Sequence, residues 1–178
     1  MKIKLNSMLK FSLIILSLTV FSFTANAQQK KKIATKKTTP VASTVTNTAD
    51  IKAGADKVSI QIKNISKFVF ILGGFASAIE DLDREAKTRK VSQAALDANN
   101  KNKQAVIQGI RNVRAGILAL EEEFRTKPGL KLYSVRIDGI SNSVADAENQ
   151  AADGQITESG KTLLLIIGRL SDALAALP

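Results

Sequence analysis

Residues 51–79 read IKAGADKVSIQIKNISKFVFILGGFASAI, with apolar side chains at Ile51, Ala55, Val58, Ile62, Ile65, Val69, Leu72, Ala76 and Ile79. The steps alternate four and three without a break. Such spacing lines one stripe of an α-helix at a mean period of about 3.5 residues, the period of left-handed helix bundles. Three further rows step the same way: Val106, Ile110, Val113, Ile117, Leu120 and Phe124; then Tyr133, Ile137, Ile140, Val144, Ala147 and Ala151; then Leu163, Ile167, Leu170, Leu174 and Leu177. No charged residue falls on any row.

The four rows predict an all-α fold, an antiparallel up-down-up-down four-helix bundle with a heptad-like, coiled-coil-type core. The breaks between rows fit this topology. Pro128 and Gly129 separate the second row from the third, and Gly154 ends the third; proline stops a helix and glycine permits the turn. Ser92 is a candidate N-cap for the second helix. Short connections make consecutive helices antiparallel neighbours. The helices are expected near residues 50–87, 92–125, 130–151 and 157–177. The first hairpin is therefore the longer and overhangs the second by roughly 15–20 Å at 1.5 Å per residue. Asn99, Asn102 and Lys103 lie close to the second stripe, so residues 82–104 are expected to project as a polar tip or to bend at Asn99 and Asn100.

Upstream of the rows the composition changes. Lys2, Lys4 and Lys10 precede an apolar stretch over residues 11–23, followed by Ala25-Asn26-Ala27. A charged segment, a short apolar core and small residues before a cut form the pattern of a secretory signal peptide, with cleavage expected after Ala27. Residues 28–49, rich in Lys, Thr, Ser and Ala, read as a flexible linker. The bundle is expected over residues 50–178. The product is expected to be periplasmic or secreted, with no stable transmembrane span in the mature chain.

The formal charge of +10 is unevenly placed. Eight of the 26 Lys and Arg residues, and no acid, lie in residues 1–48, which leaves 18 basic against 16 acidic groups for the rest. A nearly balanced body gives no electrostatic case for nucleic-acid binding. Lys30, Lys31, Lys32, Lys36 and Lys37 form a candidate tether to an anionic envelope surface.

Cys, His and Trp are absent, and both Met residues, Met1 and Met8, sit in the leader. Disulfides are impossible, so apolar packing must hold the fold. A di-iron bundle needs Glu-x-x-His pairs and c-type haem needs C-x-x-C-H, so no metal or cofactor is expected. Gly160-Lys161-Thr162 resembles the end of a phosphate loop only superficially. Five residues rather than four separate Gly154 from Gly160, and no strand pattern precedes them. It reads as the start of a helix, capped by Thr157 or Ser159. Glu121, Glu122 and Glu123 read as a solvated face. With no thiolate or imidazole, and no cleft indicated for a carboxylate, the chain is expected not to be an enzyme.

One feature exceeds what a bundle stripe requires. Residues 68–79, FVFILGGFASAI, are apolar nearly all round, and Leu165 points off the fourth row. Phe68, Ile71, Phe75 and Leu165 are therefore the candidate interaction patch, since a large exposed apolar surface marks contact with protein or membrane. Gly73 and Gly74 interrupt this run as a candidate hinge. The expected function is an exported, non-enzymatic binding or structural module, with a protein, an envelope surface or a second copy as partner. The alternative is a membrane-active protein that inserts the apolar middle of its first helix.

Overall fold

The computed structural model describes residues 42–178. The expected leader and Lys30, Lys31, Lys32, Lys36 and Lys37 lie outside the described residues. Among these residues the fold is all-helical, without a strand. Helix α1 spans Ala42–Gly73, α2 Ala76–Thr88 and α3 Gln93–Thr126. A 3-10 turn, Lys131–Tyr133, leads into the single turn α4, Ser134–Ile137, followed by α5, Ile140–Ala152, and α6, Ile156–Ala175. Helix α1 thus takes in residues 42–49, read from the sequence as linker.

Five helices exceed a single turn, against the four expected. Two expected helices are each divided, and both divisions fall at glycine. At Gly73 and Gly74 the ladder tightens to i→i+3 bonds, from Gly74 N–H to Ile71 O and from Phe75 N–H to Leu72 O, both 3.1 Å. Two adjacent glycines weaken a helix interior more than any other ordinary pair, and the axis turns by 43° between α1 and α2. The second division is at Gly139, whose φ of 77° is left-handed. That conformation ends α4 and starts α5 in a new direction.

The rows identify most of the core. Val58, Ile65, Leu72, Ala76 and Ile79 are buried, with Ile51, Ile62 and Val69 packed at the edge. All six residues of the second row are buried, and so is the third row from Ile137 to Ala151. On α6 the stripe is rotated from the expected one. Ile166 and Ala173 are buried, while Ile167, Leu174 and Leu177 are only partly covered. Ser159 lies on the inward face, its hydroxyl donating to Ala147 O at 2.7 Å in the core. Helix α1 packs on α3 and α6, α3 also on α5, and α5 on α6.

Ser92 caps α3 as expected, accepting from Ala95 N–H at 3.3 Å. The expected bend at Asn99 and Asn100 is absent, and α3 runs unbroken. Asn99 is buried rather than hydrated. Its amide donates to Ile79 O at 3.2 Å and to Asp83 Oδ1 at 2.7 Å, and Lys103 closes on the same carboxylate at 3.0 Å. Glu80 meets Thr157, so the turn into α6 reaches this level. The overhang of α2 is correspondingly smaller, about 8 Å for residues 84–88 at 1.5 Å each.

Candidate interaction surface

The apolar run 68–79 divides by direction. The α3-facing flank of α1 is marked by Lys57, which pairs with Glu123, and by Gln61, which lies against Gly116. Phe68 sits on this flank. Its ring covers Gly109 so closely that a Cβ there would stand 2.3 Å from Phe68 Cε2. Phe75 is likewise packed against the core. Two of the four patch candidates are therefore largely taken up internally, while Ile71 is 46% and Leu165 71% exposed.

Sequence reasoning passed over the most exposed aromatic of the run. Phe70 is 85% exposed. It lies five residues beyond the buried Ile65, about 140° around a helix of 100° per residue. That angle puts it on the flank of α1 opposite Phe68, the flank next to α6. Leu72 lies beside Gly160 and Glu80 bonds Thr157, so Phe70 stands level with residues 162–167 of α6. Leu164 and Leu165 are in that stretch, at 54% and 71% exposure. Phe70, Leu164 and Leu165 are thus exposed apolar side chains at one level of the fold, on two helices that pack together. Ile71 lies around the other side of α1. A count from the most buried position, Ile65, would have found Phe70; a count from Val69 did not.

A second apolar display lies at the end of the fold. Leu130 and Ile137 are fully buried, yet Leu132 and Val135 between them are 86% and 76% exposed. The tight turns are held by Tyr133 N–H to Leu130 O at 2.8 Å and Asp138 N–H to Ser134 O at 2.8 Å.

Three carboxylates, Glu80, Glu121 and Glu123, hold parts of the fold together. Glu121, read as solvated, is buried. It accepts from Ser141 N–H at 2.8 Å and from Ser141 Oγ at 2.7 Å, satisfying the first turn of α5. Glu80 serves α6 in the same way, accepting from Thr157 N–H at 2.7 Å and its hydroxyl at 3.0 Å. The caps expected from Thr157 or Ser159 are thus supplied from α2. Neither α5 nor α6 has a side-chain cap from the residue before it, so these carboxylates take the place of local caps. Burial opposes ionisation of Glu123. Hydrogen bonds and charge from Lys127 and Lys57 outweigh it and hold the carboxyl below the usual range.

Gly160, Lys161 and Thr162 lie inside α6, with Lys161 paired to Glu158 at 2.7 Å and Thr162 donating to Gln150 at 2.8 Å. An open groove between α3 and α5 is lined by Arg111, Arg114, Ala115, Leu118 and Glu148. Its carboxylate is bound to Arg111 Nε at 2.6 Å. Among the described residues no group of three or more His, Cys, Asp or Glu side chains is placed to hold a metal ion.

Compared with known proteins, the chain matches no family model, no curated protein and no solved structure.

Proposed function

We propose that this protein is an exported, non-enzymatic binding module that holds a protein partner through the surface centred on Phe70, Leu164 and Leu165. The observation that carries the reading is Phe70 itself, 85% exposed at the level of two exposed leucines on the adjoining helix. Monomers rarely leave large apolar side chains clustered in water without a partner for them. Export is supported by the three-part leader pattern, and a binding rather than catalytic role by the lack of Cys and His and by the structural engagement of the carboxylates.

The proposed scaffold is an antiparallel up-down-up-down arrangement of four layers, α1 with α2, α3, α4 with α5, and α6. Three series of pairs support it. Asp50, Lys57, Gln61 and Phe68 meet Gly129, Glu123, Gly116 and Gly109 in descending order. Arg111 and Glu121 meet Glu148 and Ser141. Ser143 and Ala147 meet Arg169 and Ser159.

The test is the double substitution Phe70→Lys with Leu165→Lys, read by native mass and by capture from the cell envelope. Both side chains are exposed, so the circular dichroism should stay helical. Burying one Phe is worth about 1.5–3 kcal/mol, so capture should fall at least about tenfold. Unchanged capture and native mass would end the reading.

One observation favours the membrane-active alternative. No single helix among the described residues is long and apolar enough to cross a membrane; Asn47–Gly73 and Ala76–Thr88 reach that mark only when taken together, by length and composition alone and across a 43° bend. Leakage of dye from vesicles on adding the protein separates the two.

A further inference from the structure

Helix α6 carries two stripes. The buried one runs through Ile156, Ser159, Leu163, Ile166, Leu170 and Ala173. Opposite it lie Lys161, Leu165, Gly168, Asp172 and Ala175, spaced four, three, four and three, and all exposed. At 100° per residue these five fall within roughly 80° of one another. That is the spacing of a helix seam, and nothing among the described residues covers it.

The centre of the outer stripe sets a large side chain beside an open place. Leu165 is exposed, and Gly168, three residues on, has nothing within 4 Å of a Cβ position. The two ends carry opposite charges. The Asp172 carboxylate has no partner among the described residues. Lys161 is paired with Glu158 one helical turn away, both exposed; such a pair is weak and leaves donors of the ammonium group free.

A second α6 laid antiparallel on the first fits this stripe in one register. When Leu165 of each copy lies over Gly168 of the other, Lys161 of each comes level with Asp172 of the other, because both pairs are centred between residues 166 and 167. Centring on Leu165 instead sets Lys161 level with Arg169 and Glu158 level with Asp172, like charge against like. A parallel pair sets every charge against itself. The two-fold axis relating antiparallel copies also matches their flanks. Gly160 lies beside Leu72 of α1 and Thr162 bonds Gln150 of α5, which identifies the α1 flank of α6. Leu164 points toward that flank. The α1 flanks of both copies fall on the same side, with each Phe70 near the level of the axis.

We propose that the outer face of α6 is a self-association surface: two copies of this chain pack antiparallel through Lys161, Leu165, Gly168 and Asp172, with Leu164 and Phe70 closing one side. The proposal names a second copy as the partner of the apolar surface, and it rests on the binding-module reading. A lipid surface suits the stripe less, because Asp172 lies on it and Glu158 beside it.

The purified protein is followed by sedimentation velocity over a concentration series. The parent is expected to pass from one copy to two as concentration rises. Lys161→Glu alone and Asp172→Lys alone each set like charges together twice across the axis, and each should raise the dimer dissociation constant about tenfold or more. Mixing the two variants restores both opposite-charge pairs, so the mixture should dimerise at concentrations where neither variant does alone. Both positions are exposed, so the circular dichroism of each variant should match the parent. A parent that stays monomeric or assembles beyond two copies, single variants that dimerise like the parent, or a mixture no better than its parts each overturn the proposal. The binding-module reading is decided separately: a monomeric parent whose envelope capture still falls with Phe70→Lys and Leu165→Lys keeps that reading and ends this one.

Discussion

Gly109 and Gly168 are both helical glycines, and the side chains around them make them opposite cases. The Phe68 ring occupies the space above Gly109, so that a Cβ would lie 2.3 Å from its edge. Gly109→Ala forces the ring or the helix to move and should destabilise the fold by about 1–3 kcal/mol, the usual cost of overfilling a packed contact. Gly168 has nothing within 4 Å of a Cβ and no left-handed backbone. Gly168→Ala should stabilise by about 0.4–1 kcal/mol, by narrowing the unfolded ensemble and raising helix propensity. Urea titrations of the two variants check both signs. The same substitution helping at Gly109 would mean that Phe68 packs elsewhere.

At the scale of helices, the most consequential feature is where the caps come from. The amide of Ser141 and its hydroxyl both end on the Glu121 carboxylate, 20 residues earlier in the chain. Glu121→Ala leaves two buried donors unpaired at the start of α5, which should cost about 1–3 kcal/mol. Hydrogen exchange should find the first turn of α5 protected in the parent and open in the variant; equal protection would show that the carboxylate is not what holds it. The rows of apolar residues made these helices legible, because a stripe at about 3.5 residues has one structural solution. The divisions at Gly73 and Gly139 were less so. A glycine inside a periodic row looks the same whether it admits a neighbour, as at Gly109, or changes the direction of the backbone, as at Gly139. Caps taken from distant helices leave no local pattern at all, so Glu121 was read with its two exposed-looking neighbours as a solvated triplet.

For the molecule as a whole, α1 is tied to α3 and to the turn after it through Glu123, which Lys57 approaches from one side and Lys127 from the other. The Glu123 carboxyl titrates below its usual value of 4.5. Its contribution to stability is therefore complete above that value and is lost as the pH falls through the lower, folded-state value. Lys127 is raised above 10.5, first by the hydrogen bond it donates to Glu123. Its contribution is complete below that value and is lost as the pH rises through the higher, folded-state one. Unfolding midpoints measured below pH 4.5 should fall more steeply for the parent than for Glu123→Gln. Parallel slopes would place the acid sensitivity elsewhere. The candidate surface was only partly visible at this scale. An apolar surplus around residues 68–79 was legible from composition, but which members face water depends on where α3 and α6 sit, and no single helix encodes that. Leu132 and Val135 looked like ordinary members of a helix, because the tight turn that turns them outward is made by Leu130 and Ile137 being pulled in.

The borrowed caps also set an order in time. Glu80 precedes Thr157 by 77 residues and Glu121 precedes Ser141 by 20. A polypeptide emerging amino end first, from a ribosome or through a membrane pore, presents both acceptors before the amides that need them. The later helices are thus completed on a template already in place, and a fragment holding only α5 and α6 would begin each of them with its leading amides unanswered.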